Sequence, residues 1–303
     1  MKKIMIMIFV VNILLANEWN LKEFHLTTEN DADFRTDRDY TYGSEISLLY
    51  EKKKNSYISF CIAHQMFTPN DFDKEDVDLS KERPYAGYMY LGMGLHSVDG
   101  NKLDSLNIQL GFVGPSTKMD KVQKIIHDII GSPEPKGWEE QIGDELIIQV
   151  NYEKRWYRSI NEKSDIVYYL GGNLGNASIK AAGGAFYKYG WNLKKTFSPR
   201  RIDYRGYTNI PVYGYEKKET SQSFYFDLWC EADIVARDIF LDGNTFKDSV
   251  HIDKEIFVAK GGFGFGYRYK NFTVDYLRTY STKEFKVQNY YHSFGSLVFA
   301  YNF

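Results

Sequence analysis

The chain has 303 residues, a formal net charge of −2 and 17% aromatic residues, including 25 tyrosines and 21 phenylalanines. A charge this close to zero gives no electrostatic case for a nucleic-acid partner, and none is expected. Beyond the amino end the sequence has no apolar run of about 18 residues, which excludes a membrane-spanning helix there. So many tyrosines are instead typical of transmembrane β-barrels, whose strands carry aromatic girdles at both membrane interfaces.

An export signal is predicted at the amino end. Two lysines precede an apolar run at residues 4–15, and a small alanine follows before polar residues begin. This order is that of a secretory signal peptide, and the apolar run is too short to span a bilayer. We therefore expect residues 1–16 to be removed and residues 17–303 to be exported to the bacterial outer membrane as a single domain.

Period-two alternation dominates the exported chain. In residues 21–31, Phe24 and Leu26 alternate with charged and polar side chains, as in a strand with one apolar and one polar face. Twelve such segments occur, at residues 21–31, 41–50, 57–66, 85–96, 105–113, 145–157, 165–174, 180–192, 222–236, 252–268, 271–281 and 290–303. An even number of strands is what a closed single-chain bacterial barrel requires. The sequence thus predicts an all-β fold, a twelve-stranded antiparallel transmembrane β-barrel.

The last predicted strand is apolar and aromatic along one face. Its outward side chains are Leu297, Phe299, Tyr301 and Phe303. Soluble sheets seldom leave four large apolar side chains on a terminal edge strand. We therefore expect the outer-membrane assembly machinery to recognise this strand as a partner.

One segment, residues 114–141, breaks the alternation. Its apolar side chains recur at helical spacing: Val122, Ile125, Ile126, Ile129 and Ile130. This spacing predicts one short helix at about residues 117–130, in an extracellular loop. Thr117 is the expected N-cap, and Gly131 accepts the left-handed conformation that ends a helix.

Two polar side chains lie beside this apolar stripe. At about 100° per residue, Gln123 and His127 are neighbours on the border of the apolar face. We expect the isoleucine and valine face to bind the helix to the barrel rim, with Gln123 and His127 half sheltered and turned toward the strand ends. Taken alone, His127 is either a general base or, more commonly for a helix-face histidine, a packed or solvated side chain.

Oxygen donors cluster where the first predicted strand ends. Asn30 and Asp31 are adjacent there. Such donors suit Ca²⁺, although the same residue types are also ordinary turn formers. Arg83 is either a substrate contact or an anchor for a loop. The sequence has no G-x-S-x-G, H-E-x-x-H or P-loop motif. His292 and Ser293 cannot pair with each other, because adjacent strand residues point to opposite faces.

Three motifs occur in order along the first half of the exported chain. They are TENDADFRTDRDYTYG from residue 28, ERPYAGYMYLG from residue 82, and GFVGPSTKMDKVQKIIHDIIGSPEPKGWEEQ from residue 111. Together they resemble the outer-membrane lipid A 3'-O-deacylase family. The second half resembles it only in barrel character and the terminal aromatic residue. The resemblance implies an active site between the barrel wall and a loop helix, and Ca²⁺-dependent hydrolysis of the ester that holds the 3' acyloxyacyl chain of lipid A.

The resemblance also implies roles for individual residues. The catalytic residues would be His127, Asn30, Asp31, Thr41 and Gln123. Asp31 and Asn30 would also hold the Ca²⁺. The expected substrate contacts are Lys74, which matches a family lysine, together with Arg83 and Trp138. A family tyrosine just after the helix is replaced here by Pro135 or a neighbour, so that contact is not carried over.

These roles combine into one reaction. Ca²⁺ held by Asp31, with help from Asn30, would polarise the ester carbonyl, while neutral His127 takes a proton from the attacking water. The substrate would be lipid A, or lipopolysaccharide, in the outer leaflet. Two alternatives stay open: a passive pore or adhesin on the same barrel, and a serine-type outer-membrane phospholipase acting through Ser293 or another serine.

Overall fold

The computed structural model describes residues 19–303, except 32–37, 71, 74–77, 79, 198–201 and 203–221. Twelve antiparallel strands form a closed barrel in which sequence neighbours pair and the first strand pairs with the last. The strands are β1 (Asn20–Asn30), β2 (Asp39–Lys53), β3 (Ser56–Thr68), β4 (Ala86–Asp99), β5 (Lys102–Val113), β6 (Glu145–Asn161), β7 (Ser164–Gly175), β8 (Ser178–Trp191), β9 (Gln222–Asp238), β10 (Phe257–Tyr269), β11 (Phe272–Ser281) and β12 (His292–Asn302). The predicted fold class is confirmed. The expected signal peptide, residues 1–16, lies outside the described residues.

Short helical elements interrupt the strands in the described part of the chain. They are helix α1 (Met119–Ile130), helix α2 (Ile239–Asp242), and the 3-10 turns Pro115–Thr117 and Trp138–Glu140. Neither helix has the length and apolar character needed to cross a membrane, as far as the chain is described.

The lengths of the connections orient the barrel. Four of the five connections at the end of the barrel where β1 begins and β12 finishes have two residues each, at 54–55, 100–101, 162–163 and 270–271, whereas five of the six at the opposite end are longer. In outer-membrane barrels, short turns face the periplasm and longer loops face the outside. The opposite end, which carries α1 and α2, is therefore the extracellular end.

The two faces of each strand have different surroundings. On β4, the outward side chains Leu91, Met93 and Leu95 are 42%, 38% and 48% exposed, whereas the inward residues Tyr90 and His96 on either side of them are buried. Apolar groups exposed in this way are stable when lipid surrounds the barrel. The outward face is therefore the membrane face, and the inward face lines the lumen.

Charged groups in the lumen are paired. Lys260 Nζ lies 3.3 Å from Asp233 Oδ2 and 3.6 Å from Glu231 Oε1, and Lys180 Nζ lies 3.7 Å from the same Asp233 oxygen. Removing a charge from water is costly unless an opposite charge and hydrogen bonds replace the lost hydration. The side chains of these ion pairs fill the lumen at the height of Glu231 and Asp233.

Aromatic rings fill the lumen nearer the extracellular end. The rings of Phe67 and Phe240 stack with centroids 4.0 Å apart, and those of Tyr40 and Phe294 meet edge to face at 5.0 Å. Both pairs belong to one buried cluster formed by strand ends and α2. The barrel therefore has a packed interior along these strands.

The barrel closes at the seam between β1 and β12. Their register runs from Glu23 opposite Asn302 to Asn30 opposite Gly295. Near the extracellular end, Glu29 accepts hydrogen bonds from Ser296 Oγ at 2.7 Å and from Tyr40 Oη at 2.8 Å. These bonds hold the end of β1, where Asn30 and Asp31 follow.

Candidate active site

Helix α1 begins later than predicted. Residues Pro115–Thr117 form a 3-10 turn, and Lys118 adopts the left-handed conformation with φ of 60° before the helix starts at Met119. Thr117 Oγ1 donates to the Gly114 carbonyl at 2.7 Å and does not cap the helix, so the expected N-cap is wrong. The end is as predicted: Gly131 has φ of 73°, and its amide donates to the His127 carbonyl at 2.8 Å.

The face of α1 that contacts the barrel is not the isoleucine face. Met119, Gln123 and His127, at intervals of four residues, are the buried side chains of the helix. Ile125, Ile129 and Ile130 are 58%, 78% and 62% exposed. The expectation that the isoleucine and valine face binds the helix to the rim is therefore wrong for these three isoleucines, whereas Val122 does pack against the barrel cluster. Gln123 and His127 are buried against the barrel instead of half sheltered.

A glycine allows α1 to approach the outside of the barrel. Gly87 points outward from β4, and a Cβ atom placed there would lie 2.1 Å from Thr117 Oγ1 and 2.7 Å from Met119 Cγ. Any larger residue would push the start of the helix away from the wall. Since outward-facing Met66 and Met89 join Met119 in one apolar cluster, the helix lies on the outer surface near the extracellular end.

Trp138 connects the loop after the helix to Gln123. Its indole Nε1 donates to Gln123 Oε1 at 2.7 Å, and both side chains are buried. The Trp138 ring also packs on Tyr85, with centroids 4.7 Å apart. An indole N–H can only donate, so the oxygen of the Gln123 amide must face Trp138. The amide nitrogen is then the end of Gln123 directed elsewhere.

His127 is oriented by a backbone carbonyl. Its Nδ1 lies 2.6 Å from the carbonyl oxygen of Pro133, and Phe72 packs edge-on against the ring with centroids 5.5 Å apart. A carbonyl oxygen can only accept, so Nδ1 carries the proton in this contact. In the neutral ring Nε2 is then the basic nitrogen.

The predicted oxygen donors lie at the extracellular ends of β1 and β2. Asp31 is buried, and its Oδ2 accepts from the Arg38 amide at 2.9 Å. The Asp31 amide donates to the Thr41 carbonyl at 3.4 Å. Thr41 is the extra residue where the register between β2 and β3 shifts, and its hydroxyl lies 2.5 Å from that of Thr68. Such a bulge re-aims a side chain at the edge of a barrel.

The strand ends and the helix share one region of the outer wall. Tyr42, next to Thr41 on β2, packs against the cluster that contains Met66 and Met119. Thr68 lies two residues beyond Met66 on β3 and therefore on the same face. The sequence-predicted residues Asn30, Thr41, Gln123, His127 and Trp138 thus lie around one extracellular segment of the barrel exterior, and the Asp31 backbone is bonded to Thr41 beside it. We refer to the space between α1 and this wall as the cleft.

The donors at the end of β1 are compatible with a hard cation. They are the Asp31 carboxylate, the Asn30 amide oxygen and the nearby Thr41 hydroxyl, all oxygen ligands of the type that Ca²⁺ takes. Within the described residues, no group of three or more His, Cys, Asp or Glu side chains is arranged to hold a metal. Ca²⁺ also accepts amide, hydroxyl and backbone oxygens, so a site with one carboxylate and neutral oxygens fits its chemistry.

Arg83 lies away from the cleft. It is fully buried, its Nη1 is 3.3 Å from Glu284 Oε2 and 3.7 Å from Asp39 Oδ1, and its guanidinium lies over the Phe67 ring of the lumen cluster. The structure therefore does not bring Arg83 together with the helix residues. Lys74, the other cation expected to contact substrate, falls outside the described residues.

Serine and histidine side chains do not meet at the cleft in the described structure. His292 is buried in the lumen, whereas Ser293 points outward and accepts from Arg278 Nη2 at 2.7 Å. A different pair, not predicted from the sequence, forms in the structure: His96 Nε2 lies 2.8 Å from Ser59 Oγ. Both members of that pair are buried inside the barrel, where a lipid ester has no access.

A surface ion pair links α1 to the loop that holds His127 in place. The ammonium of Lys124 contacts the Glu134 carboxylate, and both side chains are exposed. The contact lowers the pKa of Glu134 and raises the pKa of Lys124. Glu134 follows Pro133, whose carbonyl orients His127. The ion pair with Lys124 therefore helps to hold the loop at Pro133 next to the helix.

A protein-family model matches this chain, and one solved structure has a similar fold. The family described as "Outer membrane protein LpxR" matches residues 4–303. LpxR from Salmonella typhimurium has 17% identity and a TM-score of 0.80, with 93% of this chain and 100% of that chain covered, which shows the same fold. The NanC porin has 6% identity and a TM-score of 0.42 over 94% and 100% of the two chains. The translocator domain of NalP from Neisseria meningitidis has 10% identity and a TM-score of 0.41 over 97% and 93%. The last two fits are too loose to support an inference, and no curated protein sequence matches.

Proposed function

Since the chain belongs to the LpxR family of outer-membrane proteins, we propose that it is a lipid A deacylase that hydrolyses the ester of the 3'-O-linked acyloxyacyl chain. One observation carries this proposal. The family-motif residues Gln123 and His127 are the polar side chains that α1 buries against the outer wall of the barrel. A substrate embedded in the outer leaflet meets that wall, whereas the packed lumen is closed to it.

His127 is the general base in the proposed reaction. Its Nδ1 is engaged by the Pro133 carbonyl at 2.6 Å, which leaves Nε2 to take a proton from the attacking water. Burial against Phe72 limits the orientations of the ring. Water attack forms no acyl-enzyme, so a nucleophilic serine is not required. His127 then returns the proton to the sugar oxygen that leaves.

Gln123 is a donor to the ester oxygen in this proposal. Trp138 holds the amide oxygen at 2.7 Å, so the amide nitrogen is the end that can donate to charge developing on the carbonyl. A fixed donor in a water-poor cleft is worth more than one in bulk water. Trp138 thus acts as a positioning residue, instead of the substrate contact expected for it.

Asp31 and Asn30 are the proposed ligands of Ca²⁺. When bound, Ca²⁺ would supply a Lewis acid that polarises the ester carbonyl. The hydroxyl of Thr41 completes the oxygen donors on this side of the cleft.

Mass spectrometry of lipid A tests the proposal. Protein in detergent with Ca²⁺ is expected to remove the 3' chain, and a chelator should stop the loss until Ca²⁺ is restored. His127→Ala and Asp31→Ala should each lower the rate by roughly 100-fold or more. Asp128→Ala, an exposed neighbour of His127, is the matched control and should keep full activity. Unchanged lipid A with folded wild-type protein contradicts the proposal.

Two further measurements address the alternatives. A passive pore predicts conductance in planar bilayers that His127→Ala leaves unchanged, whereas the packed lumen predicts little conductance. A serine-type phospholipase predicts covalent labelling by a fluorophosphonate. The water mechanism predicts none.

A further inference from the structure

The exposed isoleucine face of α1 has a definite direction. At about 100° per residue, the barrel-facing residues Met119, Gln123 and His127 and the stripe around Ile125 and Ile129 are separated by about 140°. The charged side chains occupy the remaining sector of the helix, about a third of a turn from each of the other two faces: Asp120, Lys121, Lys124 and Asp128. Helix α1 therefore has two edges beside its contact with the barrel wall. We call them the isoleucine edge and the charged edge.

Contacts with the barrel show which edge points toward the membrane. Val122, on the isoleucine side, and Met89 of β4 both pack against the buried cluster that contains Met66 and Met119. Met89 lies further from the extracellular end of β4 than Gly87, the point of closest approach of the helix. The outward residues that follow at two-residue steps on β4, beginning with Leu91, are the exposed apolar band of the barrel. The isoleucine edge is therefore continuous with the membrane face.

We propose that α1 is an interfacial helix whose isoleucine edge, Ile125 and Ile129 above all, inserts into the acyl-chain layer of the outer leaflet. An amphipathic helix lying in the plane of a membrane buries its apolar face to a depth of about 5–10 Å. The charged edge, which includes Lys121 and Lys124, then lies at the level of the anionic headgroups. The membrane contact does not depend on the proposed function. Its consequence for substrate entry does rest on that function. The cleft then opens laterally to acyl chains already in the bilayer.

Depth-dependent quenching tests the insertion directly. Cys61 is buried and Cys230 is exposed, so Cys230→Ser provides a background for single-site labelling of the full chain. Ile129→Cys and the matched Asp128→Cys each receive an environment-sensitive fluorophore in proteoliposomes. Brominated phospholipids should quench the Ile129→Cys label at least about twofold more than the Asp128→Cys label, and aqueous iodide should do the reverse.

Equal quenching of the two labels by iodide, with no effect of bromolipid on Ile129→Cys, overturns the proposal. If Ile129→Cys does not fold, Ile125→Cys replaces it, because that side chain lies on the same edge. Neither residue belongs to the catalytic machinery, and the readout needs no turnover. A protein without deacylase activity therefore still answers the question of insertion.

Activity in two environments tests the consequence for substrate. The double variant Ile125→Ser with Ile129→Ser should lose roughly tenfold in rate on lipid A in vesicles but less than about twofold on lipid A dispersed in detergent. Lys121→Ser is the matched change on the charged edge and should lose little in either. An equal loss in vesicles and detergent contradicts lateral presentation of the acyl chains.

Discussion

Gly87→Ala is expected to separate the helix from the barrel without unfolding either. The new methyl group would meet Thr117 Oγ1 at 2.1 Å and the Met119 Cγ and Cβ atoms at 2.7 and 2.9 Å. Comfortable contacts between carbon atoms are about 3.5–4.0 Å, so the start of α1 must move outward by roughly 1 Å. Overpacking of this kind costs about 1–3 kcal/mol. A catalytic group displaced by about 1 Å loses about 100-fold in rate.

The assay for Gly87→Ala needs two readouts. The barrel should remain folded, as judged by heat-modifiable migration on gels, because the backbone pairing of β4 does not involve the added methyl group. The rate of lipid A deacylation should fall by about 100-fold.

Gly183→Ala is the matched control on β8. There the nearest obstacle is the Leu170 Cδ2 atom at 2.7 Å, the flexible end of a side chain that can rotate away. We expect its rate to stay within about twofold of the wild type. Full activity of Gly87→Ala would refute the reasoning that close packing of α1 on the wall sets the geometry of the cleft.

Three other predictions follow from buried or paired groups. Trp138→Phe keeps an aromatic ring but removes the donor to the Gln123 oxygen, and the loss of a buried hydrogen bond costs about 1–3 kcal/mol, so activity should fall about tenfold or more while the barrel stays folded. Arg83→Met removes the guanidinium that lies near two buried carboxylates, so the loss of about 3–5 kcal/mol should appear as a lower unfolding temperature; an unchanged temperature with a raised KM would favour the substrate contact. The depressed pKa of Glu134 means that its pairing with Lys124 stabilises the loop above the ordinary carboxyl pKa of 4.5 and is lost as pH falls through the lowered value. Because the pKa of Lys124 is raised, the same stabilisation at high pH is lost only as pH rises through that raised value. A spin label beside Glu134 should become mobile on acidification, and Glu134→Gln should be mobile throughout.

The sequence was sufficient for the barrel because its signal is local. Alternation with a period of two is visible within each strand, and the third predicted strand, residues 57–66, differs from Ser56–Thr68 only at its ends. The end of α1 was also local, since Gly131 supplies the left-handed residue itself. Its start was not, because the 3-10 turn at Pro115–Thr117 and left-handed Lys118 intervene.

The orientation of the helix could not be predicted from the helix itself. The isoleucine stripe is genuine, but its spacing does not specify whether protein or lipid covers it. Which face of α1 contacts the barrel is decided by Gly87 on β4. This glycine leaves room for Met119 and so brings Gln123 and His127 to the wall. The assumption that an apolar stripe must face protein holds in water and fails at a membrane surface.

Side-chain contacts between residues far apart in the chain could not be predicted from the sequence either. Arg83 looked like a loop cation, yet its partner Glu284 lies 201 positions away. The bond between Trp138 and Gln123 joins residues fifteen positions apart, beyond any helical or strand repeat. The motif resemblance identified Gln123 and His127, while only the fold gave the carbonyl of Pro133 as the group that selects the histidine tautomer.

The seam between the first and last strands bears on the order of assembly. Asn30 sits between Tyr42 on β2 and Gly295 on β12, so one of its two neighbouring strands is the last to emerge in the sequence. Until β12 docks, the edge of β1 has unpaired amide and carbonyl groups, and the bond between Glu29 and Ser296 is absent. A barrel arrested before closure thus carries α1 and its histidine, but the end of β1 across the cleft is not yet held in place. Pairing of β12 with β1 is therefore the step that completes the cleft.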